Sequence, residues 1–548
     1  MKPTFLWITL LLISANGFTQ TTTTSTTAVP TKPKLIVGLV VDQMRWDFLY
    51  RYPEKYSSKG FKRLLNEGYS CENTHINYSP SYTACGHTCI YTGSVPSVHG
   101  ITGNDWFDIP ENKTVYCTED STQKTIGSNS SAGKMSPKRL LTTTVGDELK
   151  LSNNFQSKVI GIALKDRSSI LPAGHSANAA YFYDGASGNW ITSTYYMTEL
   201  PTWVTAFNNQ KIPEKYLAQN WNTLLPIAQY FESDHDDVSY ENPFKNEKAP
   251  VFEHKVSELA KPTLDILRAT PYGNTLTLNF AKDAIKNESL GKGKYTDFLA
   301  VSLSSTDYIG HQFGPNSIEI EDCYIRLDKD LELFFNYLDE TIGKGNYLFF
   351  LTADHGAAHI PAYLTERKIP AGVLSNDSVM KQLAAQLNTK YGSGDWLLGY
   401  ENMQLYMNNK LIAEKKVDKQ DMKNTIKQFL LTVNGIADIL DLENLNNETI
   451  HADLKQLVAN GVHKNRSGEL FILHNPGWFE GYAKGTTHGT IYPYDTHIPL
   501  VWMGWKIPHK ADYTYINMSD IAPTISSMLH IQEPNGSVGK VIEGIFKK

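Results

Sequence analysis

The stretch Leu35-Ile36-Val37-Gly38-Leu39-Val40-Val41-Asp42 decides how this chain is read. An unbroken apolar run rich in β-branched residues, closed by a carboxylate, suits a strand buried on both faces of a parallel sheet. Such a strand has no wet face, so Asp42 stands where the strand ends. Two further runs repeat the arrangement. Phe298-Leu299-Ala300-Val301 is followed by Asp307 and His311, and Tyr347-Leu348-Phe349-Phe350-Leu351 by Asp354 and His355. In open α/β sheets ligands gather at such strand ends. The spacing therefore predicts an α/β protein with parallel strands. It also predicts a set of Asp and His ligands (Asp42, Asp307, His311, Asp354, His355 and His488), each read as following an apolar run and together forming two metal sites.

Working outward, 548 residues with 41% hydrophobic content can bury a large core. That length fits one α/β domain with insertions, or two to three domains. A net charge of −6 leaves no basic footprint for nucleic acid, and no nucleic-acid partner is expected. At the N-terminus, Met1-Lys2-Pro3-Thr4, the apolar Phe5 to Ile13 and the small residues Ser14, Ala15 and Gly17 have the three parts of a secretory signal peptide. The apolar run is about half of the ~20 residues that a membrane-spanning helix needs, so a cleaved signal over residues 1–20 is expected rather than an anchor. The product would be periplasmic or secreted, with no stable membrane insertion. Residues 21–33 form a Thr/Pro-rich tether with nothing apolar to bury. The five cysteines (Cys71, Cys85, Cys89, Cys117 and Cys323) are no disulfide framework. They leave room for one bridge or none.

Along the chain, Trp46–Tyr56 and Gly60–Asn66 read as helical. A Pro-punctuated loop, Tyr78-Ser79-Pro80-Ser81-Tyr82, then leads into a helix that starts at or near Thr83. Unpaired N–H groups and the helix dipole make that position an anion site, although an N-cap is the commonest role for Thr there. Lys158–Leu164 reads as a strand. So does Ile498–Met503, and Asp520 opens a final helix with Pro523 in its first turn. Two insertions are expected. One, at about 105–300, is large enough to wall a pocket. The other, at about 365–480, is a small α+β cap with helices at Lys381–Lys390 and Asp418–Thr432 and a strand at Met403–Met407.

A helical turn would set Asp307 and His311 on one face, where they can chelate one ion. Any one of the six residues has a bland reading as a cap or a surface histidine, but three separate strand ends each delivering a ligand favour metal. Carboxylate and imidazole suit Zn²⁺, and two such ions clamp the attacking and leaving oxygens of a phosphoryl displacement. Thr83 is the obvious hydroxyl, and Asn104 could match part of the phosphoryl charge. Lys165-Asp166-Arg167 offers two cations for a dianionic ester. Lys464-Asn465-Arg466 offers the same spacing, and spacing alone does not choose between them.

Together with Val40-Val41-Asp42-Gln43-Met44-Arg45-Trp46-Asp47, Thr92-Gly93-Ser94-Val95-Pro96-Ser97, Gly103-Asn104-Asp105-Trp106, Ser305-Thr306-Asp307-Tyr308, Ala353-Asp354-His355-Gly356 and Lys484-Gly485-Thr486-Thr487-His488, these residues resemble the alkaline phosphatase superfamily, most closely its PafA-type branch. The resemblance runs from about residue 34 to the C-terminus. It implies one catalytic domain over 34–548 with a central, mostly parallel sheet between helix layers. It implies two Zn²⁺ per chain, one on Asp307, His311 and His488 and the other on Asp42, Asp354 and His355. Thr83 would bridge them as nucleophile, with Asn104, Lys165 and Arg167 on the phosphoryl oxygens. The implied activity is hydrolysis of small phosphate monoesters by a monomer through a phosphothreonine intermediate. A phosphodiesterase or nucleotide pyrophosphatase of the same superfamily is the nearest rival, and Lys165 and Arg167 discriminate against it. A sulfatase is disfavoured because no Cys/Ser-x-Pro-x-Arg signature follows Pro80, and a phosphoglycerate mutase would use serine. A metal- or phosphate-binding protein without turnover is the remote alternative.

Overall fold

The structure, a computed structural model, describes residues 32–547 except 261, 262 and 482. The signal peptide expected at 1–20 and nearly all of the tether at 21–33 lie outside the described residues. Among those described, no helix is long and apolar enough to cross a membrane.

A ten-stranded sheet organises the molecule. Along the chain its strands are β1 (Leu35–Val41), β2 (Tyr69–Cys71), β3 (Thr125–Ile126), β4 (Val159–Ala163), β5 (Ala179–Asp184), β6 (Asn189–Ser193), β7 (Asp297–Leu303), β8 (Tyr347–Thr352), β9 (Leu500–Gly504) and β10 (Lys510–Asp512). Their spatial order is β10-β2-β9-β8-β1-β7-β4-β5-β6-β3. The central run β8-β1-β7-β4-β5 is parallel throughout, and β9 and β6 flank it antiparallel. Every residue of β1, β7 and β8 is buried, as expected of apolar runs covered by helices on both faces. Helices 83–92, 145–151, 166–173 and 521–529 pack together as one layer, and helices 272–287, 305–313 and 318–338 as another.

The span 105–300 does more than wall a pocket, because it contributes β3, β4, β5 and β6 to the central sheet. Within 365–480, strands 397–401, 404–407, 436–441 and 470–474 form a separate four-stranded sheet. Helices 376–391 and 419–430 pack against it over a core of their own that includes Leu383, Trp396, Leu405, Met422 and Ile472. Asp418 caps the second helix by accepting from the N–H groups of Gln420 and Asp421 at 2.8 and 2.9 Å.

Two expectations need correction. Trp46–Tyr56 is helical only over Phe48–Arg51. Pro53 disfavours helical backbone at Tyr52, which leaves the helix with φ −118° and ψ 45°. His488 follows no apolar strand. It lies in an irregular stretch where Gly485 and Gly489 take left-handed φ values of 75° and 121°, and that winding chain returns it to the strand ends. All five cysteines are free and buried, which resolves the open disulfide count at none.

Candidate active site

Parallel strands place their C-terminal ends on one edge, so Asp42 (after β1), Lys165 (after β4) and Asp354 (after β8) arrive side by side. Asp307 and His311 join them from helix Ser305–Phe313, which starts directly beyond β7. The four-residue spacing acts as expected, with His311 Nε2 3.1 Å from Asp307 Oδ1. Asp307, His311 and His488 present ligand atoms that all lie within 4.8 Å of one another, as do Asp42, Asp307 and His355, and Asp42, His87 and Asp354. His355 Nε2 is 3.6 Å from Asp42 Oδ1 and 3.4 Å from Asp354 Oδ2. All six predicted ligands therefore meet in one place.

The imidazoles are oriented alike. His311, His355 and His488 each direct Nδ1 to a backbone carbonyl (Thr486, Gly356 and Ser81) at 2.8, 2.9 and 2.8 Å. A carbonyl only accepts, so Nδ1 carries a proton and Nε2 faces the cluster, the usual outer support of a metal-ligating histidine. Burial opposes a second proton on His311, but Asp307 outweighs it and holds that imidazole above its usual range. The rings of His355 and His488 stack with centroids 3.4 Å apart. Burial, opposed in His355 by Asp354, holds that imidazole below its usual range. His488 is held well below by burial and then by the other two histidines. Both stay neutral, as ligands must be. Burial and then the Asp354 charge push Asp42 well above the usual carboxylate range. Asp307 goes the other way, because His311 and Lys165 together outweigh its burial. Among the described residues Asp42 Oδ1 is buried without a hydrogen-bond partner, and Asp354 Oδ2 has only His87 Nδ1 beside it, at 3.1 Å. Carboxylate oxygens of this kind beside inward-facing Nε2 atoms are the donor set that a Zn²⁺ site needs.

Thr83 is the first residue of helix Thr83–Thr92, all ten residues of which are buried. Its Oγ1 lies 3.3 Å from His355 Nε2. The helix gets this close because position 86 is glycine, where a Cβ would stand 2.3 Å from the Asp354 carbonyl oxygen. Gly356 serves the same end, since a Cβ there would meet the Tyr494 carbonyl at 2.3 Å. Asn104 Oδ1 accepts from the Ala84 N–H at 3.0 Å, which fixes its amide beside the helix start.

Lys165 occupies the N-cap position of helix Asp166–Ala173, its side chain making no capping hydrogen bond. Its Nζ is 2.8 Å from Asp42 Oδ2 and 2.5 Å from Asp307 Oδ2. Burial opposes its charge, but these carboxylates prevail and hold it above the usual lysine range. Arg167 donates to the Tyr116 hydroxyl at 3.1 Å, and that hydroxyl donates to Asp166 at 2.7 Å. Arg167 Nε is buried and unpartnered. Arg466, of the rival segment, instead donates to the carbonyls of Gly100 and Arg139.

Sequence reasoning missed two supports. His87, one helical turn after Thr83, bonds the Thr83 carbonyl at 2.9 Å and Ser302 Oγ at 2.8 Å, with Nδ1 also 3.1 Å from Asp354 Oδ2. The i, i+4 spacing from Thr83 was the available signal. Gln43 donates from Nε2 to Asp307 Oδ1 at 2.8 Å and from its backbone N–H to Asp354 Oδ1 at 3.2 Å. It does so with φ 65°, and nothing in the sequence announces that.

A buried hydroxyl at a helix start, set against clustered carboxylates and imidazoles at the strand ends of an α/β sheet, defines a metal-dependent phosphoesterase. A family model described as Type I phosphodiesterase / nucleotide pyrophosphatase matches residues 36–505. The alkaline phosphatase PhoV of Synechococcus elongatus is 50% identical over 94% of this chain and 93% of its own. The alkaline phosphatase PafA of Elizabethkingia meningoseptica is 49% identical over 95% and 96%. A Myroides odoratus protein named a calcium-transporting ATPase is 50% identical over 93% and 94%. The crystal structure of wild-type PafA superposes with a TM-score of 0.93 at 47% identity, covering 95% of this chain and all of that one. A PafA variant substituted at one threonine, one asparagine, one lysine and one arginine gives 0.92, also at 47% identity, with 94% of this chain and 99% of that one covered. The chain belongs to the matched family and, within the alkaline phosphatase superfamily, to the PafA-type alkaline phosphatases. It is a phosphomonoesterase with a metal-binding site.

Proposed function

We propose that the chain is an exported, zinc-dependent phosphomonoesterase that converts small phosphate monoesters to alcohol and inorganic phosphate through a phosphothreonine on Thr83. The observation that carries this reading is the buried Thr83 hydroxyl, 3.3 Å from His355 Nε2 at a helix start. Asp307, His311 and His488 would hold one Zn²⁺, and Asp42, Asp354 and His355 a second. When bound, the two ions supply the positive charge that lowers the pKa of the hydroxyl and offsets charge on the attacking and leaving oxygens.

Thr83 Oγ1 attacks phosphorus and the alcohol departs. Water then cleaves the phosphothreonine and releases phosphate, so one hard displacement becomes two easier ones. The helix dipole and the Asn104 amide stabilise the non-bridging oxygens. Lys165 and Arg167 complete a cationic wall suited to a dianion. The substituted PafA variant supports these four roles, because its altered threonine, asparagine, lysine and arginine are spaced like Thr83, Asn104, Lys165 and Arg167, with the asparagine-to-lysine interval one residue longer there. The signal-peptide reading of residues 1–20 supports export to the periplasm or beyond, and the resemblance supports a monomer with two Zn²⁺ per chain.

A second reading, a phosphodiesterase or nucleotide pyrophosphatase, is favoured only by the description of the family model. The deciding experiment compares kcat/KM for an aryl phosphate monoester and the matching diester on zinc-loaded and chelator-treated protein. A strong monoester preference that disappears on chelation is expected, whereas a diester preference would favour the second reading. Thr83→Ala should lower kcat by at least about a thousandfold while still binding inorganic phosphate. Activity near wild type in that variant would refute the nucleophile assignment.

A further inference from the structure

A cavity at one edge of the central sheet shares no residue with the phosphoryl site. There β2 and β10 run parallel with Ser70 opposite Ala511. The pairing continues one residue on, where the Glu72 N–H donates to the Asp512 carbonyl at 2.8 Å. Side chains alternate along a strand, so Ser70 and Glu72 share a face with His509, Ala511 and Tyr513. Trp46 and Tyr50, just before and within helix Phe48–Arg51, cover that face. Between these groups lies a cavity of about 410 Å³.

Glu72 gives the cavity its charge. It is 8% exposed, and its carboxylate accepts from Trp46 Nε1 at 3.0 Å and from the Tyr50 and Ser70 hydroxyls at 2.6 Å each. All three donors are neutral. Lys510, next along β10, sits on the opposite face with Nζ 3.5 Å from Asp512 and 5.6 Å over the Tyr69 ring, and among the described residues Glu72 forms no ion pair. Carboxylates buried this far are rarely left without a counter-charge. The remaining walls are aromatic. The Trp46 and Tyr50 rings, pinned by their bonds to Glu72, lie 5.2 Å apart at 52°. His497 stacks on Trp46 at 4.8 Å and donates from Nε2 to the Glu72 backbone carbonyl at 2.9 Å, which braces the wall from behind. Tyr513 stands at the rim, 76% exposed.

We infer that this cavity, with Glu72 at its base and Trp46, Tyr50 and Tyr513 as walls, binds a small quaternary ammonium ion. Aromatic rings attract such an ion through their quadrupoles, and the carboxylate supplies the opposite charge. A primary ammonium brings three N–H donors that each require an acceptor, whereas the Glu72 oxygens already accept three hydrogen bonds. A quaternary nitrogen has no N–H and leaves none unpaired. A metal ion fits less well, because among the described residues metal-ligating groups gather in threes only in the cluster at the strand ends.

The test is a calorimetric titration of the zinc-loaded full chain with choline and with 3,3-dimethylbutan-1-ol, the neutral isostere in which carbon replaces the nitrogen. Choline should bind saturably and roughly tenfold more tightly than the isostere. Glu72→Gln should weaken choline roughly tenfold and Tyr513→Ala about threefold, while kcat/KM for an aryl phosphate stays at the wild-type value in both. Equal affinity for the two ligands, or wild-type choline affinity in both variants, overturns the site. Tyr513 is exposed enough for its replacement to leave folding intact, so Tyr513→Ala decides alone should Glu72→Gln not fold. Phosphatidylcholine vesicles separate the two sources of the ion: co-sedimentation that Tyr513→Ala weakens assigns the site to a lipid headgroup, and choline binding without co-sedimentation assigns it to a free cation.

Discussion

Lys165-Asp166-Arg167 and Lys464-Asn465-Arg466 share one pattern and have different fates. The first follows β4 of the parallel sheet and opens helix Asp166–Ala173, so the strand end delivers Lys165 to Asp42 and Asp307. The second follows helix Ala452–Gly461 of the cap region. There Arg466 clamps backbone, giving hydrogen bonds to the carbonyls of Gly100 and Arg139 and lying 5.0 Å over the Trp106 ring, while Lys464 is exposed. Residue spacing is the same in both. Position in the sheet topology decides which segment reaches the carboxylates at the strand ends and which clamps backbone through its arginine.

The largest expected effect tests the first half of that contrast. Replacing Lys165 and Arg167 together by Ala should reduce kcat/KM for an aryl monoester by about 10²–10⁴, with a much smaller loss on the matching diester, which presents less charge. Bound metal is measured alongside, because Lys165 also touches two carboxylates of the ligand set. Equal losses on both esters in a fully metal-loaded variant would place these cations outside the phosphoryl site.

That contrast also marks how far the sequence could be read. The strands β1, β7 and β8 were legible because each is an apolar run buried on both faces, a pattern that few other structures produce. Asp42, Asp307, His311, Asp354 and His355 follow from those strand ends. His488 was found without its setting, because a loop that returns through left-handed glycines leaves no periodic trace. His87 and Gln43 escaped for a related reason, since their work is to hold Thr83, Asp307 and Asp354 in place across separations of up to 311 residues. The strands β9 and β6 that flank the parallel run are antiparallel to it, and composition alone carries no sign of direction.

The second half of the contrast predicts stability effects rather than kinetic ones. Arg466→Ala removes two hydrogen bonds to backbone carbonyls and a cation over Trp106. It should cost about 2 kcal/mol in urea unfolding while the monoester-to-diester ratio stays near wild type. A shift in that ratio comparable to the Lys165 and Arg167 double variant would erase the distinction between the segments.

Lys464→Ala should do least. The side chain is exposed and carries one charge on a flexible stem, so both its folded-state contacts and the entropy it loses on folding are small. Removal is expected to change unfolding free energy by no more than about 0.5 kcal/mol. The informative control is Lys165→Ala taken alone, because it deletes the same side chain from the same motif position, with Lys165 buried between Asp42 and Asp307. If spacing governed function, the two lysine variants would weaken monoester hydrolysis alike. If the strand end governs it, only Lys165→Ala will, and the difference between the two values of kcat/KM measures what β4 contributes by delivering that ammonium to the ligand carboxylates.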